Sequence, residues 1–332
     1  MLHLRLIVPS DRVLTVLELL EGDASVTHLV VLAGAARDPA GDVVLCDVAR
    51  EGASAVLSAL RDLGIPDDGS IAVENIDVVL SAAGEKAERD APGLGTDAVV
   101  WEEIEQRVGD EVELSATYLV FLTVATIIAA IGVLLDQPIL IVGAMVVGPD
   151  FGPLAALCVG VVLRKRAMAV KAAVALVVGF PVAMLLTLGA VRLLDVAGLV
   201  EKSMLLADRP LTDFIWRPDA LSWVVGFLAG IAGIVSLTSA KSGALVGVLI
   251  SVTTVPAAAN VSVAVAYGVY DEAWGSTVQL VVNLAAIVVG GVVTLVVQRT
   301  FWRQRALRPK RTRAAQLVAA RARRAARTKG RS

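Results

Sequence analysis

The sequence predicts a polytopic α-helical membrane protein of about six spans with a soluble α+β domain at its N-terminus. Three observations predict it. The 332 residues are 56% hydrophobic, above the roughly 45–50% of a soluble domain, and mean hydropathy is +0.74. Apolar stretches of about 20 residues or more recur through residues 114–298, each long enough to cross a bilayer. Charge is segregated: residues 1–113 hold 23 acidic and 8 basic side chains, while 303–331 hold twelve Lys and Arg and no acid. An acidic front and a basic tail place separate soluble segments around a membrane core. The expected divisions are a cytoplasmic domain at 1–80, a linker and acidic helix at 81–113, a transmembrane domain at 114–298 and a basic cytoplasmic tail at 299–332.

The N-terminal segment alternates in a readable order. Leu2–Val8 is strand-like. Ser10 and Asp11 are placed to cap a helix over Val13–Leu20 that ends near Gly22. Val26–Ala33 and Asp42–Val48 are apolar runs joined by the turn residues Arg37-Asp38-Pro39-Ala40-Gly41. Ala53–Leu63 has helical spacing, and Ser70–Leu80 reads as a last strand. The order β-α-β-β-α-β predicts a ferredoxin-like arrangement. His3 and His28 fall in strand-like runs and are read as structural. Cys46 and Cys158 are too differently placed for a disulfide and match no metal spacing. Leu2–Pro9 is too short, and too interrupted by His3 and Arg5, to be a signal peptide.

Ser81–Pro92 reads as a polar linker. Asp97–Glu113 reads as an acidic helix with Trp101, Ile104 and Val108 on one side. It either leads into the membrane or is a solvated connector. The spans follow at Leu114–Leu135, Pro138–Leu163, Ala167–Leu194, Ala220–Ala240, Ser242–Tyr270 and Trp274–Gln298. Arg164, Lys165 and Arg166 join the second and third, and Lys241 joins the fourth and fifth. Arg303 and Arg305 open the basic tail. All lie on one side of a six-span chain, so that side and both termini are expected to be cytoplasmic. The Asp195–Asp219 loop then lies outside. Its Leu205, Leu206, Leu211, Phe214, Ile215 and Trp216 suit an amphipathic piece on the membrane surface.

Two spans depart from an ordinary apolar helix. The second contains Gly143-Ala144-Met145-Val146-Val147-Gly148-Pro149-Asp150-Phe151-Gly152-Pro153. Pro149 and Pro153 lack an amide hydrogen and clash with the preceding turn, so the helix is expected to break there. Broken backbone at membrane depth persists only when it is buried in protein or lines a wet cavity. A carboxylate at that depth costs about 2.5–3.5 kcal/mol on insertion scales, which makes Asp150 a site residue by default. Two readings of it stand: a proton, cation or polar-substrate contact, or a cap on the half-helix after Pro149. The fifth span carries Thr253, Thr254, Pro256 and Asn260 mid-membrane. These either join Gly148, Pro149, Asp150, Gly152 and Pro153 in one substrate or ion site, or only bond neighbouring helices. Gly226, Gly230 and Gly233 permit close helix approach.

Each interrupted span is the middle of a three-span unit, and the two units run in opposite directions. Pro153-Leu154-Ala155-Ala156-Leu157 aligns loosely with Pro256-Ala257-Ala258-Ala259-Asn260. Inverted repeats with interrupted helices at matching positions mark secondary transporters.

The stretch Gly143–Pro153 resembles the signature of the DUF389 family of hydrophobic-domain membrane proteins. Ser242–Val248 with Val255-Pro256, and Arg217–Gly233, are similar to it too. The resemblance covers most of residues 115–300. It implies a bacterial inner-membrane protein, commonly with a soluble N-terminal domain, and names no substrate. The chain departs from the pattern at Asp150, where many members carry an apolar residue.

No Ser/His/Asp set, His–carboxylate metal spacing or P-loop is present, so neither enzyme activity, nor a metal, nor a cofactor is expected. The leading function is transport or permeation of a small solute or ion. The alternative is a membrane-anchored sensor or scaffold regulated through the N-terminal domain. Expected partners are membrane lipids, the unidentified solute or ion, and further copies of the chain. The basic tail, without interleaved aromatics, suits anionic lipid rather than nucleic acid.

Overall fold

Alternation of buried and outward residues makes Leu2–Val8 the first strand, β1, with Leu2, Leu4, Leu6 and Val8 fully buried. The computed structural model describes residues 1–76, 78–91, 99–110, 112–239 and 253–329, the side chains of Asp110 and of 302–329 excepted. After β1 come α1 (Val13–Glu21), β2 (Val26–Arg37), β3 (Ala40–Val48), α2 (Arg50–Asp62), the short α3 (Ile65–Asp68) and β4 (Ser70–Asn75). The sheet is antiparallel with order β2-β3-β1-β4. Leu4 sits opposite Cys46 on one side and Val73 on the other. Inward residues of β1 and β3 pack with Val16 and Leu20 of α1 and Val56 and Leu60 of α2.

Several local details differ from the sequence reading. Helix α1 has no side-chain cap; Arg12 occupies the cap position, not Ser10 or Asp11. The Arg12 guanidinium instead donates to Leu63 O at 3.1 Å, Gly64 O at 2.9 Å and Asp68 at 2.7 Å, tying α1 to the end of α2. Strand β4 stops at Asn75. The linker after it holds a helix, α4 (Ala82–Asp90), capped by Ser81 Oγ, which accepts from Gly84 N at 3.3 Å. A side-chain oxygen on an otherwise orphan amide suffices to start a helix there. The rings of His3 and His28 each bond one oxygen of Asp47 at 2.7 Å. The acidic helix α5 (Trp101–Asp110) buries Ile104 and Val108.

The chain divides into two compact units, Met1–Glu103 with Val297–Ser332, and Ile104–Val296. In the second, α6 (Ala116–Leu134) starts at Ser115, whose Oγ accepts from Tyr118 N at 3.1 Å. Then come α7 (Pro138–Val147), α8 (Phe151–Val162), α9 (Arg166–Val196), α10 (Lys202–Leu206), α11 (Ala220–Thr238), α12 (Thr254–Tyr267) and α13 (Tyr270–Lys329). Among the described residues, α6, α9, α11 and Tyr270–Phe301 of α13 are each long and apolar enough to cross a membrane. The pair α7–α8, bent by 51°, makes a fifth crossing if it counts as one. These are the features of a polytopic membrane region. Lys241 and the first half of the expected fifth span, Ser242–Val252, lie outside the described residues.

Small residues set the helix spacing. A Cβ on Gly290 would lie 2.2 Å from Phe227 O of α11, and one on Gly230 would lie 2.3 Å from Ile287 O of α13. Only glycine permits such backbone approach. A Cβ on Gly226, singled out in the sequence, would lie 2.9 Å from the Ala286 side-chain Cβ. The connector between α9 and α11 packs part of its apolar set inward. Leu205 and Ile215 are buried in the core, with Leu206, Leu211 and Phe214 exposed. Asp136 fixes the connector, accepting from Thr212 Oγ1 at 2.9 Å and Leu211 N at 3.4 Å.

Candidate functional site

The break in the second span is narrower than the prolines suggest. It occupies Gly148, Pro149 and Asp150, between the last residue of α7 and the first of α8. Pro153 does not break anything. It is the third residue of α8, where an amide hydrogen has no partner within the helix in any case. Pro256 is likewise the third residue of α12, and the stretch of the expected fifth span before it, Ser242–Val252, lies outside the described residues. Asp150 and Thr253 therefore hold the same position in the two helices, three residues before a proline.

The two starts meet. Asp150 is 5% exposed, and its Oδ2 accepts from Thr254 Oγ1 at 2.5 Å across 104 residues of sequence. A Cβ on Gly148 would lie 2.8 Å from Val255 Cγ2, so glycine is needed for the approach. The carboxylate makes no cap bond to α8. Asp150 occupies the cap position of α8, and its side chain bonds the other helix. Gly152 and Pro153 are buried behind it on the first turn of α8.

Asn260 goes elsewhere. It lies two turns along α12, and its Nδ2 donates to Glu272 Oε1 at 3.0 Å and Ser276 Oγ at 2.7 Å of α13. The same Glu272 oxygen takes Arg209 Nη2 at 2.5 Å, with side chains 5% and 8% exposed. The Arg209–Glu272 pair is as little exposed to solvent as Asp150. Thr253 Oγ1 accepts from Asn283 Nδ2 at 2.7 Å and from Gln279 Nε2 at 3.5 Å. Glu272, Ser276, Gln279 and Asn283 recur every three to four residues, which places them on one face of α13. Their spacing was available in the sequence, but none was singled out. Thr126 Oγ1 and Thr187 Oγ1, 2.7 Å apart, join α6 to α9 and also went unmarked.

Of the topology residues, Lys165 forms an ion pair with Glu105, and Arg164 takes a left-handed turn with φ 58° between α8 and α9. Arg166 opens α9. Arg303 and Arg305 are in helix, their side chains outside the described residues. No group of three or more His, Cys, Asp and Glu suited to a metal ion occurs among the described residues.

Apolar crossings, glycine seams and a buried polar core define the class: a multi-pass integral membrane protein. Residues 145–289 carry the domain described as Domain of unknown function (DUF389), a match that spans Asp150, Arg209, Thr254, Asn260 and the polar face of α13. An uncharacterised protein of Methanocaldococcus jannaschii is 24% identical over 209 residues, which is 63% of this chain and 61% of the relative's length. No solved structure matches.

Proposed function

We propose that this protein is a transporter or permeation pathway for a small solute or ion, with its site where the starts of α8 and α12 meet. The observation that carries this is the Asp150–Thr254 bond, a carboxylate buried in an apolar core and held by a hydroxyl instead of a base. No Lys or Arg among the described residues pairs with Asp150. A carboxylate so placed is expensive unless it takes up a proton, a cation or a polar ligand. The matched positions of Asp150 with Pro153 and Thr253 with Pro256 support an inverted three-plus-three repeat of six spans, the fifth being Ser242–Tyr270. Discontinuous helices meeting at mid-depth are how such repeats build a site.

The rest of the reading follows. The protein is no enzyme and takes no cofactor or nucleic acid. It lies in the inner membrane as a homo-oligomer among lipids, with both termini cytoplasmic. Residues 1–80 form a ferredoxin-like cytoplasmic domain, supported by the strand order β2-β3-β1-β4 around α1 and α2. Reporter fusions at Asp136, Asp208 and the C-terminus should read outside, outside and inside.

The test is flux. Purified protein in liposomes, under imposed proton, sodium and potassium gradients, should pass current on a supported membrane. Asp150→Asn should abolish it while insertion and monodispersity persist, and Thr254→Val should reduce it. Wild-type current in Asp150→Asn would refute the site. Its retention after deletion of 1–90 would also count against regulation through the N-terminal domain, the sensor alternative.

A further inference from the structure

Three buried polar atoms without a partner fall where α12 and α13 meet the connector. They are Asn260 Oδ1, Gln279 Oε1 and Arg209 Nε, in residues 0%, 2% and 5% exposed. Each is destabilising as it stands. Two are acceptors and one is a donor. A cation satisfies only acceptors, and an anion only donors. Water satisfies both, and buried water sits where a few polar groups surround it.

Hydrogen bonds order these atoms along the seam. Asn260 Nδ2 and Arg209 Nη2 donate to the same Glu272 Oε1, which keeps Asn260 Oδ1 and Arg209 Nε in one neighbourhood. Asn260 also reaches Ser276 Oγ. About one turn further along α13, Gln279 Nε2 reaches Thr253 Oγ1, and Asn283 joins the same oxygen a turn later. The next residue of α12, Thr254, holds Asp150. From Glu272 to Asn283 the helix rises about 16 Å, roughly half the hydrocarbon thickness of a bilayer. The polar face thus begins at the start of α13 and ends beside Thr253. Beyond it, Ala286, Ile287 and Gly290 pack against α11.

We propose that a file of water occupies the α12–α13 seam and that protons reach Asp150 along it from the end that bears Glu272. The inference rests on the transport reading above and narrows its solute to the proton. An alkali ion sheds its hydration shell only onto several oxygens gathered at one point, and this seam spreads its oxygens along about two turns. A proton needs only a chain of hydrogen bonds. It enters on water beside Arg209 and Glu272. Each water passes one proton on as it receives another, and the last becomes the O–H of a neutral Asp150. Its later loss restores the carboxylate.

The test has two readouts, both on full-length protein in liposomes. Proton entry is followed with a trapped pH dye while potassium and valinomycin set the potential. Water contact is read by transfer of magnetisation from water to side chains in solid-state NMR. The wild type should admit protons. The Asn260 and Gln279 amides should receive magnetisation well before Ala286 and Ile287. Gln279→Leu fills the seam with hydrocarbon and leaves water no partner there, so proton entry should slow about tenfold or more. Gln279→Ala loses the amide but leaves room for water, and should be slowed less than Gln279→Leu. A packing role alone predicts the reverse order. Ser236→Ala, at a buried unpaired hydroxyl on α11, should change neither readout. If Gln279→Leu fails to insert, Ser276→Val takes its place. Amides of Asn260 and Gln279 without water contact overturn the inference. So does proton entry that Gln279→Leu leaves at the wild-type rate. Movement of another solute through Asp150 without protons also overturns it but keeps the transport reading. A hydrated seam with no flux of any solute removes that reading, and the proton route with it.

Discussion

Two successive stretches of one face of α13, Glu272–Asn283 and Ala286–Gly291, are built on different principles. From Glu272 to Asn283 the face presents a carboxylate, a hydroxyl and two amides, which reach across to Arg209, Asn260 and Thr253. From Ala286 to Gly291 it presents no polar side chain, and backbone meets backbone at Phe227 and Gly230 of α11, with the Ala286 methyl against Gly226. Side chains that bridge a gap can exchange partners, take up an ion or be replaced in pairs. Backbone in contact can do none of these. The first stretch suits a part of the molecule that works, and the second suits one that holds.

Replacement tests that contrast. The largest effect is expected from Arg209→Leu, which leaves Glu272 buried without a counter-charge and should cost about 3–5 kcal/mol. Arg209→Met with Glu272→Leu should restore most of the lost stability, since a well-packed apolar pair can match a buried ion pair. Gly290→Ala should come next, at about 1–3 kcal/mol for forced overpacking. No second side-chain change should rescue it, because the obstacle is Phe227 O, a backbone atom. Both are read from Tm and from the monodisperse fraction by gel filtration. A rescued Gly290→Ala, or an unrescuable ion pair, would erase the distinction. Asn283→Leu should cost about 1 kcal/mol, the worth of its bond to Thr253.

The smallest effect lies in the N-terminal unit. Burial pushes the Cys46 thiol up to about 12. The unfolded chain loses that proton at lower pH than the folded one. Stability of this unit should therefore be level below the ordinary thiol value of 9.0 and fall as pH rises from there towards 12. Labelling of Cys46, followed at the peptide level against denaturant, measures it. Labelling that is rapid in the native protein at neutral pH contradicts the burial.

The strands of the first unit were legible because apolar alternation and turn residues agree at each boundary. Helix α4 was not, because Ala82–Asp90 has no apolar stripe and depends on the Ser81 cap. The break at Gly148–Asp150 was legible, since prolines, glycines and an acid in an apolar run have few other meanings. The break expected at Pro153 is not there: a proline looks alike whether it ends a turn or begins a helix, and only the helix start distinguishes them. Asn260 was expected beside Asp150 because both are polar and deep. Its true partners were hidden for two reasons. Glu272 sits at a span end and Arg209 in the Asp195–Asp219 connector, so hydropathy assigns both to loops. Ser276, Gln279 and Asn283 are each unremarkable alone, and only their common face gives them meaning.

The central claim is that the starts of α8 and α12 form one buried site. Paired cysteines test it most directly. Gly148→Cys with Val255→Cys, in full-length protein with Cys46 and Cys158 replaced by serine, should crosslink under mild oxidation in membranes and abolish flux until reduced. Gly148→Cys with a cysteine at Leu185, an exposed position on α9, should not crosslink. Failure of the 148–255 pair to crosslink, with both thiols open to a lipid-soluble maleimide, would contradict the account.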